Sequence, residues 1–191
     1  MSEAGRSEAA FEPLGSEVEW EGTLFRAGTE RFRYTDGTEV TRQKAWHPGA
    51  VGILVVDDST VWLTRQPREV VGEIASLEIP AGKLDIEGEA PLAAAKRELA
   101  EETGQQAAGW SELFAFYTSP GFTDERVRIY LARGLSAALD AHPEEDERIE
   151  VVRWPLDRIA DAISECEDAK SLVALLWLAG GAGRSTLSGP E

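Results

Sequence analysis

The segment that most limits the fold is PLAAAKRELAEET, residues 91–103. Its interior consists of residues with high helix propensity, its first residue is a proline suited to a first helical turn, and Gly104 suits the position after the last turn. These features predict an α-helix over residues 91–103. At about 100° per residue, Leu92, Ala95 and Leu99 fall on one stripe. The chain must therefore supply another element against which this stripe packs.

Three carboxylates, Glu98, Glu101 and Glu102, flank that stripe. Like charges four residues apart on a helix repel by a few tenths of a kcal/mol, and the chain already has a net charge of -16. A solvated acidic face is the plain explanation. However, the cluster adjoins the core stripe and follows a glycine-containing loop, IPAGKLDIEGE at residues 79–89. Carboxylates in this arrangement are hard oxygen ligands for Mg²⁺ or Mn²⁺, so the pattern indicates a divalent-metal phosphate site.

The remaining pattern is mostly β with a few helices and no strict alternation, which predicts an α+β fold with helices on a mixed sheet. Asp36-Gly37 predicts a tight turn inside a hairpin. We expect a flexible tail at residues 1–16, a small N-terminal antiparallel β unit at 17–47, the main domain at 48–180 and a disordered tail at 181–191. The predicted strands are 17–22, 31–46 (the hairpin), 49–58, 61–66, 76–80, 111–119, 127–135 and 149–155, and two further helices are expected at 155–166 and 168–179.

The composition limits the classes of partner and the cellular compartment that we expect for this chain. A pI near 4.6 argues against broad electrostatic binding to nucleic acid or to an anionic membrane. The longest apolar run, SLVALLWLAGG, is too short to span a bilayer. Cys166 is the only cysteine, so no disulfide framework exists and a reducing compartment is compatible. Because the N-terminal residues also lack a signal-peptide pattern, we expect a cytoplasmic protein.

The stretch from Gly82 to Gly104 resembles the Nudix box. Glu89 is followed by seven residues and then by RELAEETG, which begins at Arg97. Two departures occur: six residues rather than five separate the first glycine from Glu89, and Gln105 stands where the family has an apolar residue. A match with so many fixed positions is specific, and the extra loop residue leaves the helix register intact.

Further segments resemble the ADP-ribose pyrophosphatase branch of this family. Pro120 lies sixteen residues after Gly104, within SPGFTDE, and residues 41–51 and 65–82 are also similar to that branch. The resemblance covers about residues 17–180. It implies a Nudix α/β/α sandwich and a homodimer, in which the N-terminal β unit exchanges between subunits and helps to bind the adenosine end of the substrate.

The activity that the resemblance implies is hydrolysis of the pyrophosphate bond of ADP-ribose to AMP and ribose 5-phosphate. The implied cofactor is Mg²⁺ or Mn²⁺, with more than one ion. Arg97 is expected to pair with Glu89 and hold the loop on the helix. The implied metal ligands are Glu98 and Glu102, then Glu101, which is also a catalytic candidate, and the carbonyl of Ala81.

The resemblance places the general base in an acidic loop before the last strand, where HPEEDERIEVV lies. Glu145 is the first candidate and Glu144 the second, and the alternative is a solvated acidic loop. Arg68 resembles an arginine of the branch that contacts phosphate or ribose. The remaining substrate-binding candidates are Arg42 on the hairpin, which would act across the dimer, and Pro120 with Gly121; either arginine is alternatively a plain surface residue.

Two other functions stay open. The first is a Nudix hydrolase of another compound, such as a nucleotide sugar, an oxidised nucleotide or a dinucleotide. The second is a sensor that binds ADP-ribose without cleaving it. A sensor is expected to have lost box carboxylates, and this box keeps all three. The sequence does not distinguish Mg²⁺ from Mn²⁺.

Overall fold

The computed structural model describes residues 10–139 and 148–180, which divide into two compact units. Unit 1 comprises residues up to 48 together with 117–125, and unit 2 comprises 49–116 and the described residues from 126 onward. The strands are β1 (Phe11–Glu21), β2 (Arg26–Tyr34), β3 (Glu39–Trp46), β4 (Ala50–Val56), β5 (Thr60–Arg68), β6 (Glu73–Glu78), β7 (Ala81–Lys83), β8 (Gln105–Tyr117), β9 (Arg126–Ala137) and β10 (Glu150–Pro155), and the helices are α1 (Pro91–Thr103), α2 (Ile159–Glu165) and α3 (Ala169–Ala179).

Unit 1 is built on a three-stranded antiparallel sheet in the order β1-β2-β3. The predicted hairpin between β2 and β3 is confirmed. Gly37 has a φ of 86°, which a glycine adopts without steric cost, and the Asp36 carboxylate accepts a hydrogen bond from the Thr38 backbone at 2.9 Å. This bond lowers the pKa of Asp36. The turn is therefore fixed by local chemistry that the sequence displays.

The N-terminal boundary differs from the sequence prediction. β1 begins at Phe11, so residues 11–16, expected in a flexible tail, pair with β2 instead. The Phe11 ring packs edge-on against Phe32 at 5.5 Å and against Tyr34 at 6.0 Å between centroids. These aromatic contacts across the strands supply the stabilisation that the small polar residues around Gly15 lack.

The loop at 117–125 also departs from the expected domain division, because it belongs to unit 1. The Ala45 amide donates to the Phe122 carbonyl at 2.8 Å, and Ala45 forms a parallel bridge with Thr123. The His47 amide donates to the Asp124 carboxylate at 2.9 Å. These bonds join the loop to the end of β3 and explain why it is part of the first unit.

Unit 2 contains a seven-stranded mixed sheet. Five strands follow the order β10-β5-β4-β9-β8, while β6 pairs with β5 and β7 with β4. The β4–β9 pair is parallel, and the pairs of β5 with β4, β6 and β10 are antiparallel. The predicted α+β class with a mixed sheet is thereby confirmed. The three-residue strand β7 is too short for a sequence pattern to reveal.

β4 is the centre of the core, and its alternate residues enter two different apolar clusters. Val51, Ile53 and Val55 are fully buried on the face covered by α1. Leu54 and Val56 face the cluster that contains the buried residues of α2 and α3. Because helices cover both faces of the sheet, the expected α/β/α sandwich is confirmed. No helix in the described ranges is both long and apolar enough to cross a membrane.

Helix α1 spans the predicted residues, and Gly104 ends it with a φ of 66° and a hydrogen bond to the Ala100 carbonyl at 2.9 Å. The predicted core stripe is partly wrong. Leu92 is 37% exposed, whereas Ala94 and the box residue Glu102 are buried. The buried face is centred about 80° away from Leu92, on the side of Glu102.

Candidate active site

Strand β7 and helix α1 bring the box carboxylates against the backbone. A Cβ atom at Gly82 would overlap the carboxyl group of Glu98, so no other residue fits there without displacing Glu98. The Glu102 carboxylate accepts a hydrogen bond from the Ala81 amide at 3.1 Å. Residues 81 and 82 therefore lie against two of the three box carboxylates, and a side chain at position 82 would require Glu98 to move.

Arg97 is the centre of an ionic cluster that we call the box cluster: Arg97, Glu89, Glu98 and Glu101. Its Nε and Nη2 atoms each donate to Glu89 at 3.1 Å, which confirms the predicted pair. Its Nη1 atom lies 2.8 Å from both Glu98 and Glu101. One cation thus faces three carboxylates and leaves a charge of -2. Hydrogen bonding to Glu89, followed by the charge of Glu98 and the hydrogen bond to Glu101, raises the pKa of Arg97 against the opposing effect of burial.

The donor chemistry of this cluster fits a hard divalent cation, although the side chains are not yet arranged around one. Among the described residues, no three side chains of the usual metal-binding types are grouped closely enough to hold an ion. Arg97 engages Glu98 and Glu101, while Glu102 is turned to the Ala81 amide. The oxygens suit Mg²⁺ or Mn²⁺ and the net charge favours a cation.

A second ionic network, which we call the Glu78 clamp, consists of Glu78, Arg68, Lys170 and Asp168. The Glu78 side chain, at the end of β6, is only 2% exposed. It accepts hydrogen bonds from Nε and Nη2 of Arg68 at 2.7 and 2.8 Å, and from Nζ of Lys170 at 2.6 Å. Lys170 also lies 3.0 Å from Asp168. A fully buried carboxylate is thus compensated by two cations.

The clamp perturbs the acidity of its members. Burial alone would raise the pKa of Glu78, but the hydrogen bonds from Arg68 and the charge of Lys170 outweigh it and lower that pKa to about 2. Hydrogen bonding to Glu78 raises the pKa of Arg68, and the charge of Glu102 contributes in the same direction. The charge of a box glutamate therefore acts on the arginine that the clamp holds.

Unit 1 carries the other substrate-binding candidates. Arg42, Pro120 and Gly121 line one open cavity of about 540 Å³. Lys44, on the same wall, forms ion pairs with Glu30 and Asp124 at 2.9 and 3.2 Å. The structure brings these three sequence candidates together within the unit.

Two predicted residues, Glu144 and Glu145, lie outside the described residues, and their role as general base stays a prediction. Conversely, the sequence reasoning missed the clamp around Glu78. A signal was present, because Glu78 is a lone charge between Leu77 and Ile79 in an apolar strand. Such a residue is expected to be buried only with a partner. Nothing in the sequence indicates that the partner is Lys170, which is 92 positions away.

Comparison with known proteins identifies the family. The family model of the NUDIX domain matches residues 46–175. An ADP-ribose pyrophosphatase of Mycobacterium tuberculosis is 42% identical over 142 residues, which cover 73% of this chain and 68% of that protein. An ADP-ribose pyrophosphatase of Bacillus subtilis is 37% identical over 169 residues, 86% of this chain and 90% of the relative.

Two further comparisons, one of sequence and one of structure, also cover most of the chain. A methanol dehydrogenase activator of Bacillus methanolicus is 34% identical over 86% of this chain and 90% of its own length. A crystal structure of an ADP compounds hydrolase superposes with a TM-score of 0.77 and 26% identity, covering 94% of this chain and all of that one. The family model spans most of the chain and coincides with the sandwich and the box described above. This chain belongs to the NUDIX domain family.

Proposed function

We propose that this protein hydrolyses the pyrophosphate bond of ADP-ribose, giving AMP and ribose 5-phosphate, with the help of divalent metal ions. The observation that carries the proposal is the intact box: Glu98, Glu101 and Glu102 are all present, and two of them pack on residues 81 and 82. The similarity to two ADP-ribose pyrophosphatases supports the choice of substrate. A sensor without hydrolytic activity would have no need of these carboxylates.

The proposed metal ligands are Glu98, Glu102, Glu101 and the carbonyl of Ala81, and the proposed cofactor is Mg²⁺ or Mn²⁺ with more than one ion. Bound there, such ions supply charge neutralisation at the phosphate oxygens and acidify a water molecule. The chain's own contribution is orientation. Glu89 holds two nitrogens of Arg97, and the third nitrogen bonds to Glu98 and Glu101.

We propose that Arg68 binds the diphosphate or the ribose of the substrate. Its guanidinium is oriented by Glu78, and its side chain is 45% exposed. In unit 1 we assign substrate binding to Arg42, Pro120 and Gly121, which together line one cavity of that unit. Arginine suits a phosphate because its planar fork donates two parallel hydrogen bonds. The overall negative charge does not oppose this assignment, since local cations decide binding of a small anion.

Glu145 is the proposed general base, with Glu144 second and Glu101 a further catalytic candidate. Substituting Glu145→Gln should lower kcat by at least about a hundredfold, the usual contribution of a positioned base. Binding of Mn²⁺, followed by calorimetry, should be unchanged because this residue is not a proposed ligand. An equal loss with Glu144→Gln and none with Glu145→Gln would exchange the two roles.

A homodimer with an exchanged N-terminal β unit and a cytoplasmic location complete the proposal. Phe11, Val18 and Trp20 on β1 are each more than 40% exposed, an apolar surface that a second copy of the chain would cover. The lone cysteine, Cys166, is buried and suits a reducing compartment. Gel filtration with light scattering should report twice the mass of 20.8 kDa, and a monomer would remove the basis for the exchange.

The deciding experiment is a substrate panel. The purified protein is incubated with ADP-ribose, a nucleotide sugar, a dinucleotide or a nucleoside triphosphate, each with Mg²⁺ or Mn²⁺, and AMP and ribose 5-phosphate are measured. We expect ADP-ribose to be cleaved fastest. Preferential cleavage of another compound would make the protein a different Nudix hydrolase, and binding of ADP-ribose without cleavage of any compound would make it a sensor.

A further inference from the structure

We propose that Lys170 is a positioning residue for substrate binding, which acts through the buried carboxylate of Glu78 to fix the orientation of Arg68. The inference rests on the proposed function to the extent that Arg68 is assigned there to an anionic part of the substrate. Lys170 itself is only 14% exposed and points to Glu78, so it does not need to touch the substrate.

The oxygens of Glu78 are fully engaged. Oε1 accepts from Nε of Arg68, while Oε2 accepts from both Nη2 of Arg68 and Nζ of Lys170. Two cations on one buried carboxylate restrict its rotation, because any rotation breaks charge-assisted hydrogen bonds. The plane of the carboxylate in turn fixes the plane of the Arg68 guanidinium.

The part of Arg68 that remains available is defined by this arrangement. A guanidinium has five N–H donors, and Glu78 uses one on Nε and one on Nη2. Nη1 has no hydrogen-bond partner in the described ranges, and the side chain is 45% exposed. The edge between Nη1 and Nη2 therefore presents parallel donors, which is the geometry that binds a phosphate or carboxylate through two oxygens.

The position of Lys170 in the fold supports this role. It occupies the second residue of α3, where the helix dipole disfavours a cation. The same helix start is fixed by the Asp168 side chain, which accepts from the Ser171 amide at 2.9 Å, and Ser171 Oγ accepts from the Ile79 amide at 2.8 Å. Lys170 is thus held next to the end of β6, and its ion pairs with Glu78 and Asp168 offset the unfavourable helix position.

Removal of Lys170 should loosen this orientation. In a Lys170→Met variant Glu78 keeps Arg68 as its only charged partner, so Oε2 loses a hydrogen bond and the carboxylate is free to turn with the guanidinium. The cost of ordering Arg68 is then added to ligand binding. A double-mutant cycle separates this pathway from others, because Lys170 can act through Glu78 only while position 78 carries a carboxylate.

The experiment measures ADP-ribose affinity by calorimetry in EDTA, where turnover is suppressed. The proteins compared are wild type, Lys170→Met, Lys170→Arg, Glu78→Gln, Glu78→Gln/Lys170→Met and the control Lys96→Met. Lys96 is exposed and in no ion pair with a described residue. Its replacement by Met therefore controls for the loss of one positive charge. We expect Lys170→Met to weaken binding about tenfold, the size of one charged hydrogen bond, Lys170→Arg to recover part of this loss, and Lys96→Met to change binding less than twofold.

The decisive comparison is the effect of Lys170→Met in the Glu78→Gln background. It should fall below twofold there, since no carboxylate remains to transmit it. A tenfold effect in both backgrounds would show that Lys170 acts directly or through helix packing and would overturn the proposal, as would no effect in the wild-type background. The double variant has no carboxylate at position 78, and Asp168 keeps its hydrogen bond from the Ser171 amide; circular dichroism checks that the variant is folded.

Titration with inorganic pyrophosphate separates this inference from the proposed function. Suppose that Lys170→Met weakens pyrophosphate binding only when residue 78 is Glu, while ADP-ribose is neither bound nor cleaved. The role of Lys170 is then supported and the proposed substrate is wrong. If ADP-ribose is cleaved but the cycle is absent, the substrate is correct and the role of Lys170 is wrong. A variant-free check is the ¹⁵N spectrum of wild type: pyrophosphate should shift the Arg68 Nη signals while Nε–H stays bonded to Glu78, and release of Nε–H would overturn the inference.

Discussion

The box cluster and the Glu78 clamp are built from the same kinds of side chain in opposite proportions. In the box cluster, Arg97 faces Glu89, Glu98 and Glu101, and the sum of charges is -2. In the clamp, two cations face Glu78 and Asp168, and the sum is zero. The first cluster has carboxylate charge in excess, and we propose that a divalent cation offsets it. The second is already neutral, so it stabilises the fold and orients an arginine.

Burial strengthens the electrostatic effect of the charges in both clusters. The side chains of Glu89 and Glu98 are 14% and 13% exposed, so their mutual repulsion is only partly screened by water. The Glu78 side chain is 2% exposed, so its charge depends on Arg68 and Lys170 for compensation. We therefore expect changes in the box cluster to alter the response to metal, and changes in the clamp to alter stability and ligand orientation.

The largest expected effect is on activity, from Glu102→Gln. Loss of one carboxylate ligand should lower kcat/KM for ADP-ribose about a thousandfold or more, since several kcal/mol of charge stabilisation depend on the metal. The fold should survive, because the glutamine carbonyl oxygen still accepts from the Ala81 amide. Thermal unfolding followed by circular dichroism provides the control. A folded variant that retains wild-type activity would remove Glu102 from the ligand set.

The next largest effect is on the pH dependence of the unfolding free energy, from Glu78→Gln in the clamp. The pKa of Glu78 is lowered to about 2 in the folded protein, so its ionised form contributes stability above the unfolded pKa. That contribution, roughly 2–3 kcal/mol, should be lost as pH falls from about 4.5 to about 2. Urea unfolding across this range should show a shallower pH dependence for Glu78→Gln than for wild type. Identical slopes would mean that Glu78 is not paired as described.

The Arg97→Met variant tests the box cluster, where we expect a change in both stability and metal response. Removing the only cation of the box cluster leaves three partly buried carboxylates together, and we expect a loss of about 1–2 kcal/mol of unfolding free energy in EDTA. Because divalent ions then relieve more repulsion, the rise in Tm with Mn²⁺ should exceed that of wild type. A variant whose Tm rises less with metal would indicate that Arg97 supports the ligands more than it competes for them.

The smallest effect is expected at Asp57, which belongs to neither cluster. Burial tends to raise its pKa, but hydrogen bonds from the Trp62 indole, Ser59 and Thr60 outweigh this and lower it to about 2. Asp57→Asn should reduce unfolding free energy at pH 7 by about 1 kcal/mol, with the difference vanishing as pH falls from about 4 to 2. The metal-induced rise in Tm should match that of wild type. A change in that rise would show that the metal response is not specific to the box.

Local chemistry decided which features were predictable from sequence. The caps of α1, the Asp36-Gly37 turn and the Arg97–Glu89 pair depend on residues close together in the chain, and all three are confirmed. The exposure of Leu92 was not predictable, because it depends on how α1 is rotated on the sheet.

Long-range contacts account for the remaining differences. The Glu78 clamp joins β6 to α3 across 92 positions, and the loop at 117–125 is bound to β3 by backbone hydrogen bonds that no side-chain pattern reveals. β1 extends to Phe11 because of rings on β2 that the sequence does not place opposite it. Periodicity reports which residues are buried, whereas the partner of a buried charge is set by topology.

The central claim is that the box cluster carries excess negative charge that a divalent cation offsets, whereas the clamp is neutral. It is tested most directly by the Tm of wild type and of Glu98→Gln/Glu102→Gln with increasing Mg²⁺ or Mn²⁺. At about ten times Kd, binding to the folded state alone should stabilise wild type by about 1.4 kcal/mol, a rise of about 4 °C, and leave the variant unchanged. A wild-type Tm that is unmoved by either metal at millimolar concentration, or an equal rise in the variant, would contradict the account.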